Sequence, residues 1–191
     1  MLEIYEKELA ELKQDMIGLG MKVEQAVEST WKALERKDVE LAQRIFDGDD
    51  AIDELVKSCM KKDLTISLMQ GPVAADYRSL MATLKILSDL ERIADHCADI
   101  SHYVIHLKQT NHDVPLPVGV KEMYGVMSSM VSDVIDFYKE RGTSSQAEFM
   151  RDKDDIVDQA FNNLMIDLSA EMTKHPENSK DYIDLVLVIK Y

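Results

Sequence analysis

The chain has 191 residues, of which 46% are hydrophobic and 30% are charged, and its formal net charge is −14. That length can bury a hydrophobic core, and the excess of acid argues against nucleic-acid binding and against docking on an anionic membrane, because both require basic residues. No apolar run approaches the roughly 18 residues of a membrane span, and the N-terminus lacks the pattern of a signal peptide, so the sequence predicts a soluble cytoplasmic protein.

Apolar residues recur at three- and four-residue steps along nearly the whole chain, which is typical of amphipathic helices. The first such run ends at a turn near Asp38. The second ends before Gly71 and Pro72, which break a helix, and the third ends before Pro115 and Pro117. No segment shows the alternation expected of a strand. The predicted helices cover the ranges 2–36, 39–69, 74–108, 118–141, 145–174 and 179–191.

The second half of the chain repeats the first at an offset of 105 residues. Twelve positions between 35 and 86 are identical to the residue 105 positions later. Among them, Asp49 and Asp53 match Asp154 and Asp158. Chance similarity between two amphipathic helices does not explain aspartates that match in register. The sequence therefore predicts an internal duplication.

The duplication predicts an all-α protein of two tandem three-helix bundles. The first bundle is expected over 1–110 and the second over 118–191, joined by a proline-rich linker at 111–117. In this register Ile86 matches Tyr191, so the counterpart of the rest of the third helix would begin beyond the last residue. Either the second bundle is naturally shorter, or the sequence is a truncated version of a longer protein. We favour truncation, because so short a last helix covers its bundle poorly.

An incompletely covered second bundle predicts self-association. Apolar surface that its own chain leaves exposed tends to be covered by another chain. We therefore expect a homodimer or a larger assembly that forms through the C-terminal half.

The third predicted helix carries a line of acidic and histidine side chains. Glu91, Asp95 and Asp99 are spaced four residues apart and are followed by His102 and His106. These side chains share one face of the helix, opposite its apolar stripe. They form either a cation site or only a solvated helix face, which is common in soluble bundles. The two histidines are expected to flank such a site or to be solvated.

A second pair of carboxylates stands on the neighbouring helix. Asp49 and Asp53 flank the apolar stripe of the second predicted helix. Two antiparallel helices that each carry such a pair would bring four or more carboxylates together. Clusters of carboxylate oxygens bind hard or borderline divalent cations, and nearby imidazoles would suit iron, zinc or manganese.

Three segments of the sequence resemble the PhoU family. They are "DGDDAIDELVKSC" at 47–59, "QGPVAADYRSLMATLKILSDLERIADHCADI" at 70–100, and within it "DLERIADH", a variant of the "LERIGDH" of that family. The resemblance implies that each repeat is a three-helix bundle with surface metal clusters held by D/E-x-x-x-D motifs. Asp99 stands where the family often has Asn, and Ala94 replaces the usual Gly.

The resemblance also implies the metal ligands. It assigns Asp49, Asp53, Glu91 and Asp95 to a first site, with Asp99 adding to its acidity. It assigns Asp154 and Asp158 to a second site whose partners from the last helix are absent from this sequence. The implied cofactor is a divalent or trivalent ion: iron, zinc, manganese or magnesium.

The function implied by the resemblance is regulatory rather than catalytic. Proteins of this kind restrain phosphate uptake and the phosphate-starvation response by contact with the ATPase subunit of the phosphate ABC transporter and with a phosphate-sensing histidine kinase. Two alternatives remain open: a di-metal carboxylate enzyme and a helical scaffold that binds no metal. The enzyme would need Glu-x-x-His on two helices facing the bundle interior, whereas this chain offers only Asp99-x-x-His102.

Overall fold

The computed structural model describes residues 2–69, 71–110, 114–140 and 144–191. Within these ranges the chain forms six α-helices and a short 3-10 turn, with no strand, which confirms the all-α prediction. The helices are α1 (Leu2–Arg36), α2 (Val39–Met69), α3 (Ala74–Gln109), α4 (Val120–Glu140), α5 (Ser144–Lys174) and α6 (Ser179–Lys190).

The first three helices pack around one apolar core. Its buried members recur at helical spacing on each helix: Leu12, Met16, Leu19 and Val23 of α1, Val56, Cys59 and Ile66 of α2, and Leu80, Leu87 and Leu90 of α3. Removing one such side chain from water contributes roughly 1.5–3 kcal/mol. The apolar stripes therefore set which face of α2 and of α3 remains at the surface.

Short turns determine where these helices begin and end. Lys37 adopts a positive φ of 51°, and the backbone N–H of Asp38 donates to the carbonyl of Ala33 at 2.9 Å, which closes α1. The Asp38 side chain then accepts a hydrogen bond from the N–H of Leu41 at 2.9 Å and so caps the start of α2. The turn predicted near Asp38 is confirmed.

The segment between α3 and α4 differs slightly from its prediction. Residues 111–113 of the predicted linker, and residue 141 at the predicted end of the fourth helix, lie outside the described residues. The fourth helix begins at Val120 rather than at 118, because the N–H of Val120 donates to the carbonyl of Pro117 in a turn. The boundaries of the two bundles at 110 and 118 stay a prediction.

The second half has a core of its own. Leu164 and Leu168 of α5 pack with Tyr182, Leu185 and Ile189 of α6. The sixth helix has 12 residues, against 36 for α3. It therefore covers a much shorter stretch of its bundle than α3 covers in the first.

The two halves contact each other where α4 packs antiparallel to α1 and where α6 packs on α3. The Trp31 ring stacks on Tyr124 with centroids 4.6 Å apart, and the Lys13 ammonium donates to the carbonyl of Lys139 at 2.8 Å. Among the described residues, no helix has both the length and the apolar run needed to cross a membrane.

Candidate metal centre

Three carboxylates from two helices converge at the surface of the first bundle. Asp49 and Asp53 lie one turn apart on α2, and Asp95 projects from α3. One carboxylate oxygen from each lies within 4.8 Å of the other two. The apolar core that α2 and α3 share holds the two backbones at this separation. The carboxylates therefore lie together although, among the described residues, no hydrogen bond joins them.

Burial and mutual repulsion both disfavour the charged forms of these acids. Partial burial raises the pKa of Asp49 to about 6, and the shift is increased by neighbouring charges, in decreasing order those of Asp95, Asp53, Asp50 and Asp99. Burial also raises the pKa of Asp95, with a further contribution from Asp53. A bound cation would relieve this repulsion and stabilise the charged forms.

An unpartnered oxygen marks the buried side of the cluster. The Oδ1 atom of Asp53 is buried and has no hydrogen-bond donor among the described residues. A buried carboxylate oxygen normally has a donor or a cation beside it. The side chains present therefore fit a cation in both composition and geometry.

The other two acids predicted for this site lie around the cluster. Glu91 is close enough to α2 to act on Lys57, whose pKa is raised first by its hydrogen bond to Glu54 and then by Asp53 and Glu91. Asp99 lies one turn beyond Asp95 and raises the pKa of Asp49. Neither acid belongs to the group of three whose oxygens lie within 4.8 Å. Their role as ligands stays a prediction.

Comparison with known proteins shows the family of this chain. The sequence profile of the PhoU domain matches residues 16–104. The "Phosphate-specific transport system accessory protein PhoU homolog" of Clostridium acetobutylicum is 30% identical over 194 residues, covering 99% of this chain and 86% of that protein. The chain belongs to the PhoU family. The homologue of the same description from Aquifex aeolicus is 30% identical over 185 residues, covering 97% of this chain and 83% of that protein.

Two solved PhoU structures share the fold. The crystal structure of PhoU from Pseudomonas aeruginosa superposes with a TM-score of 0.92 at 22% identity, over 97% of this chain and 88% of that one. The crystal structure of the phosphate transport system regulatory protein PhoU from Streptococcus pneumoniae gives 0.87 at 26% identity, over 97% and 86%. The family resemblance noted in the sequence is confirmed, and it supports an accessory, regulatory role in phosphate transport.

The second carboxylate pair of this PhoU chain has different surroundings. Asp154 and Asp158 are exposed on α5. Within the described part of the chain, no group of three possible metal ligands includes either of them. They line a groove between the two halves of the molecule together with His96 of α3. Their assignment to a second metal site stays a prediction.

The two histidines that follow the acidic line on α3 lie away from the cluster. The His106 Nδ1 atom lies 2.5 Å from the Oδ2 atom of Asp184 on α6. His102 lies beside the rings of Phe46 and Tyr103, with centroids 6.1 and 5.5 Å away. The sequence reasoning missed the His106–Asp184 pair. An aspartate within the apolar run of α6 was the available signal, because a buried carboxylate requires a partner.

Proposed function

We propose that this PhoU-family chain regulates phosphate transport by protein contact, using a cation held between α2 and α3. The convergence of Asp49, Asp53 and Asp95 is the observation that supports the cation site. The proposed partners are the ATPase subunit of the phosphate ABC transporter and the phosphate-sensing histidine kinase. The accessory role of the PhoU homologues in phosphate-specific transport supports this choice.

The spacing of the oxygens suits a single ion. Two oxygens bound to one magnesium ion at about 2.1 Å can lie no farther apart than about 4.2 Å. The carboxylate oxygens here lie within 4.8 Å of one another, so small side-chain rotations would let them share one ion. Glu91 and Asp99, one turn to either side of Asp95, would supply further oxygens. Of the four metals implied by the resemblance, an all-oxygen donor set favours magnesium or manganese over zinc.

The cation would have two effects on the protein. It would neutralise clustered negative charge at the surface, and it would tie α2 to α3 through their side chains. Both effects change the surface that a partner meets. We therefore propose that the metal-loaded form is the one that binds the transporter subunit or the kinase.

Metal content tests the site directly. The triple variant Asp49→Asn, Asp53→Asn and Asp95→Asn should lose its bound metal, measured by elemental analysis after exhaustive dialysis. Three exposed acids of α2 supply the control, Glu40→Gln, Asp47→Asn and Glu54→Gln, which removes the same charge and should keep the metal. Equal metal content in both variants would contradict the assignment.

Partner binding is measured separately. The purified ATPase subunit and the cytoplasmic part of the kinase are titrated with wild type and with the triple variant, each with and without manganese. The proposal expects manganese to strengthen binding of wild type but not of the variant. If wild type and the triple variant bind a partner equally with and without manganese, the proposed contact with that partner remains, but the proposal that the metal controls this contact is wrong.

Self-association through the C-terminal half is part of the same proposal. Large apolar side chains are exposed on its outer surface, outside the groove between the halves: Phe149, Ile156, Ile166 and Ile183. Such side chains are the expected contacts between two copies.

A further inference from the structure

Three polar side chains interrupt the apolar core of the first bundle. Asp63 of α2 and Thr83 of α3 are buried in the apolar stripes of their helices. Tyr138 of α4 packs against the same core, and its hydroxyl lies 3.2 Å from that of Thr83. Both carboxylate oxygens of Asp63, and the hydroxyl of Ser67 one turn further on, are buried without a hydrogen-bond partner among the described residues. This polar layer of Asp63, Thr83 and Tyr138 is therefore less favourable than an apolar one.

The internal repeat indicates that the fold does not require this polar layer. At the offset of 105 residues, its three counterparts are all apolar and buried: Leu168, Val188 and Ala33. Ala33 of α1 packs with Val188 of the second half, just as Tyr138 of α4 packs with Thr83 of the first. The two junctions occupy equivalent positions, and only one of them is polar. A role other than packing therefore explains the polar side chains.

Tyr138 closes the polar layer from a helix outside the first bundle. It stands near the end of α4, where Ile135 lies beside Gly20 of α1 and the carbonyl of Lys139 accepts a hydrogen bond from Lys13 at 2.8 Å. The buried core of the first bundle is otherwise formed by α1, α2 and α3. The last turns of α4 can therefore move outward without separating those three helices.

No charged group compensates a negative charge at Asp63. Burial alone raises the pKa of Asp63 to about 6, with no contribution from a charged side chain of the described residues. Burial also raises the pKa of Tyr138, and the charges of Asp63 and Cys59 raise it further. Lys62, the residue before Asp63, is paired with Asp15 of α1. A carboxylate formed in this layer would have neither a cation nor a hydrogen-bond donor beside it.

We propose that Asp63 and Tyr138 form a proton-controlled latch between α4 and the first bundle. While the Asp63 carboxyl is protonated, Tyr138 stays seated and the last turns of α4 remain on α1. When the carboxyl loses its proton to water, the carboxylate becomes hydrated as Tyr138 moves out, and those turns are released. The contact between the two halves therefore responds to pH. This inference does not depend on the metal centre of α2 and α3.

The size of the response follows from the two states of the latch. Asp63 has a pKa of about 6 when Tyr138 is seated and, once hydrated, returns toward the ordinary 3.8. A raised pKa stabilises the seated state fully below the ordinary value, and this stabilisation is lost as pH rises through the raised value. The ratio of released to seated molecules should therefore rise about tenfold between pH 5 and pH 8.

Native-state hydrogen exchange measures this ratio at the amides that the latch protects. Exchange is followed by mass spectrometry at pH 5 and pH 8 with a chelator present, and protection is expressed relative to the unstructured rate at each pH. Peptides that cover 134–140 report on the end of α4, and peptides that cover 52–66 report on unfolding of the first bundle. Wild type is compared with Asp63→Asn, which does not titrate, and with Asp63→Leu, which matches the repeat counterpart.

In wild type, 134–140 should be less protected than 52–66 and should lose protection about tenfold from pH 5 to pH 8. In both Asp63 variants, the protection of 134–140 should be the same at the two pH values. Asp136→Asn removes an exposed acid from α4 itself and should keep the tenfold loss. Tyr138→Ala removes the latch, so 134–140 should be weakly protected at both pH values while 52–66 stays protected.

Three results would overturn the inference. Equal protection of 134–140 and 52–66 at both pH values would show that α4 leaves only when the whole bundle unfolds. Unchanged protection of 134–140 between pH 5 and pH 8 in wild type would show that Asp63 does not control α4. The same tenfold loss in Asp63→Asn and Asp63→Leu would assign the pH response to other groups.

Discussion

A buried acid in the first bundle makes stability depend on pH. Asp63 lies on α2 and is 0% exposed, and neither carboxylate oxygen has a hydrogen-bond partner among the described residues. Burial raises its pKa from 3.8 to about 6. Tyr138 of α4 is close enough for the charge of Asp63 to raise the Tyr138 pKa, after the larger effect of burial, and its hydroxyl lies 3.2 Å from that of Thr83. The folded state therefore prefers the protonated form of Asp63.

The sign and size of the effect follow from that shift. A pKa raised on folding contributes stability that is fully present below the unfolded pKa and is lost as pH rises through the folded value. A shift of about two units corresponds to about 3 kcal/mol over the whole window. Between pH 5 and pH 8 the loss amounts to about 1.4 kcal/mol, given the folded pKa of about 6.

Asp63→Asn tests this reasoning, because asparagine has nearly the same shape and does not titrate. The free energy of unfolding is measured in urea at pH 5 and pH 8 for wild type and variant. Relative to wild type, the variant should gain about 1.4 kcal/mol between the two pH values, whatever fixed cost its amide carries. Glu40→Gln, an exposed change on the same helix, should show no such gain. A constant difference between Asp63→Asn and wild type from pH 5 to pH 8 would refute the reasoning.

Three further predictions concern metal binding, packing and assembly. Manganese at 100 times its dissociation constant should raise the free energy of unfolding by about 2.7 kcal/mol in wild type, and by nothing in the variant that lacks the three clustered carboxylates. Gly18→Ala meets nothing within 4 Å and should stabilise the protein by up to about 1 kcal/mol in urea unfolding, whereas the Cβ of Gly20→Ala would lie 3.0 Å from Ile135, so Gly20→Ala should be less stable than Gly18→Ala by about 1–3 kcal/mol. Ile156→Asp with Ile166→Asp should reduce the mass measured by light scattering, and an unchanged mass would place the contact elsewhere.

Most of the fold was predictable because its determinants are local. Helical periodicity located every helix, and the turn residues Asp38, Gly71 and Pro72 placed the ends of α2 and the start of α3 at the residues observed. The start of α4 was missed by two residues, because a turn at Pro117 that periodicity does not encode delays it.

The candidate site was predictable only in part. Spacing alone placed Asp49 and Asp53 on one edge of α2, and Glu91, Asp95 and Asp99 on one edge of α3. Which of the three meets the α2 pair depends on how far the two helices are shifted along each other.

That shift is determined by the packing of side chains far apart in the sequence. Val56 and Leu90 in the shared core hold α2 and α3 at the offset that brings Asp95, rather than either neighbour, into the cluster. The same kind of packing pairs His106 with Asp184, 78 positions later, and opens the groove beside Trp31. Periodicity reports which face of a helix is apolar, and only the folded chain decides which other face that surface meets.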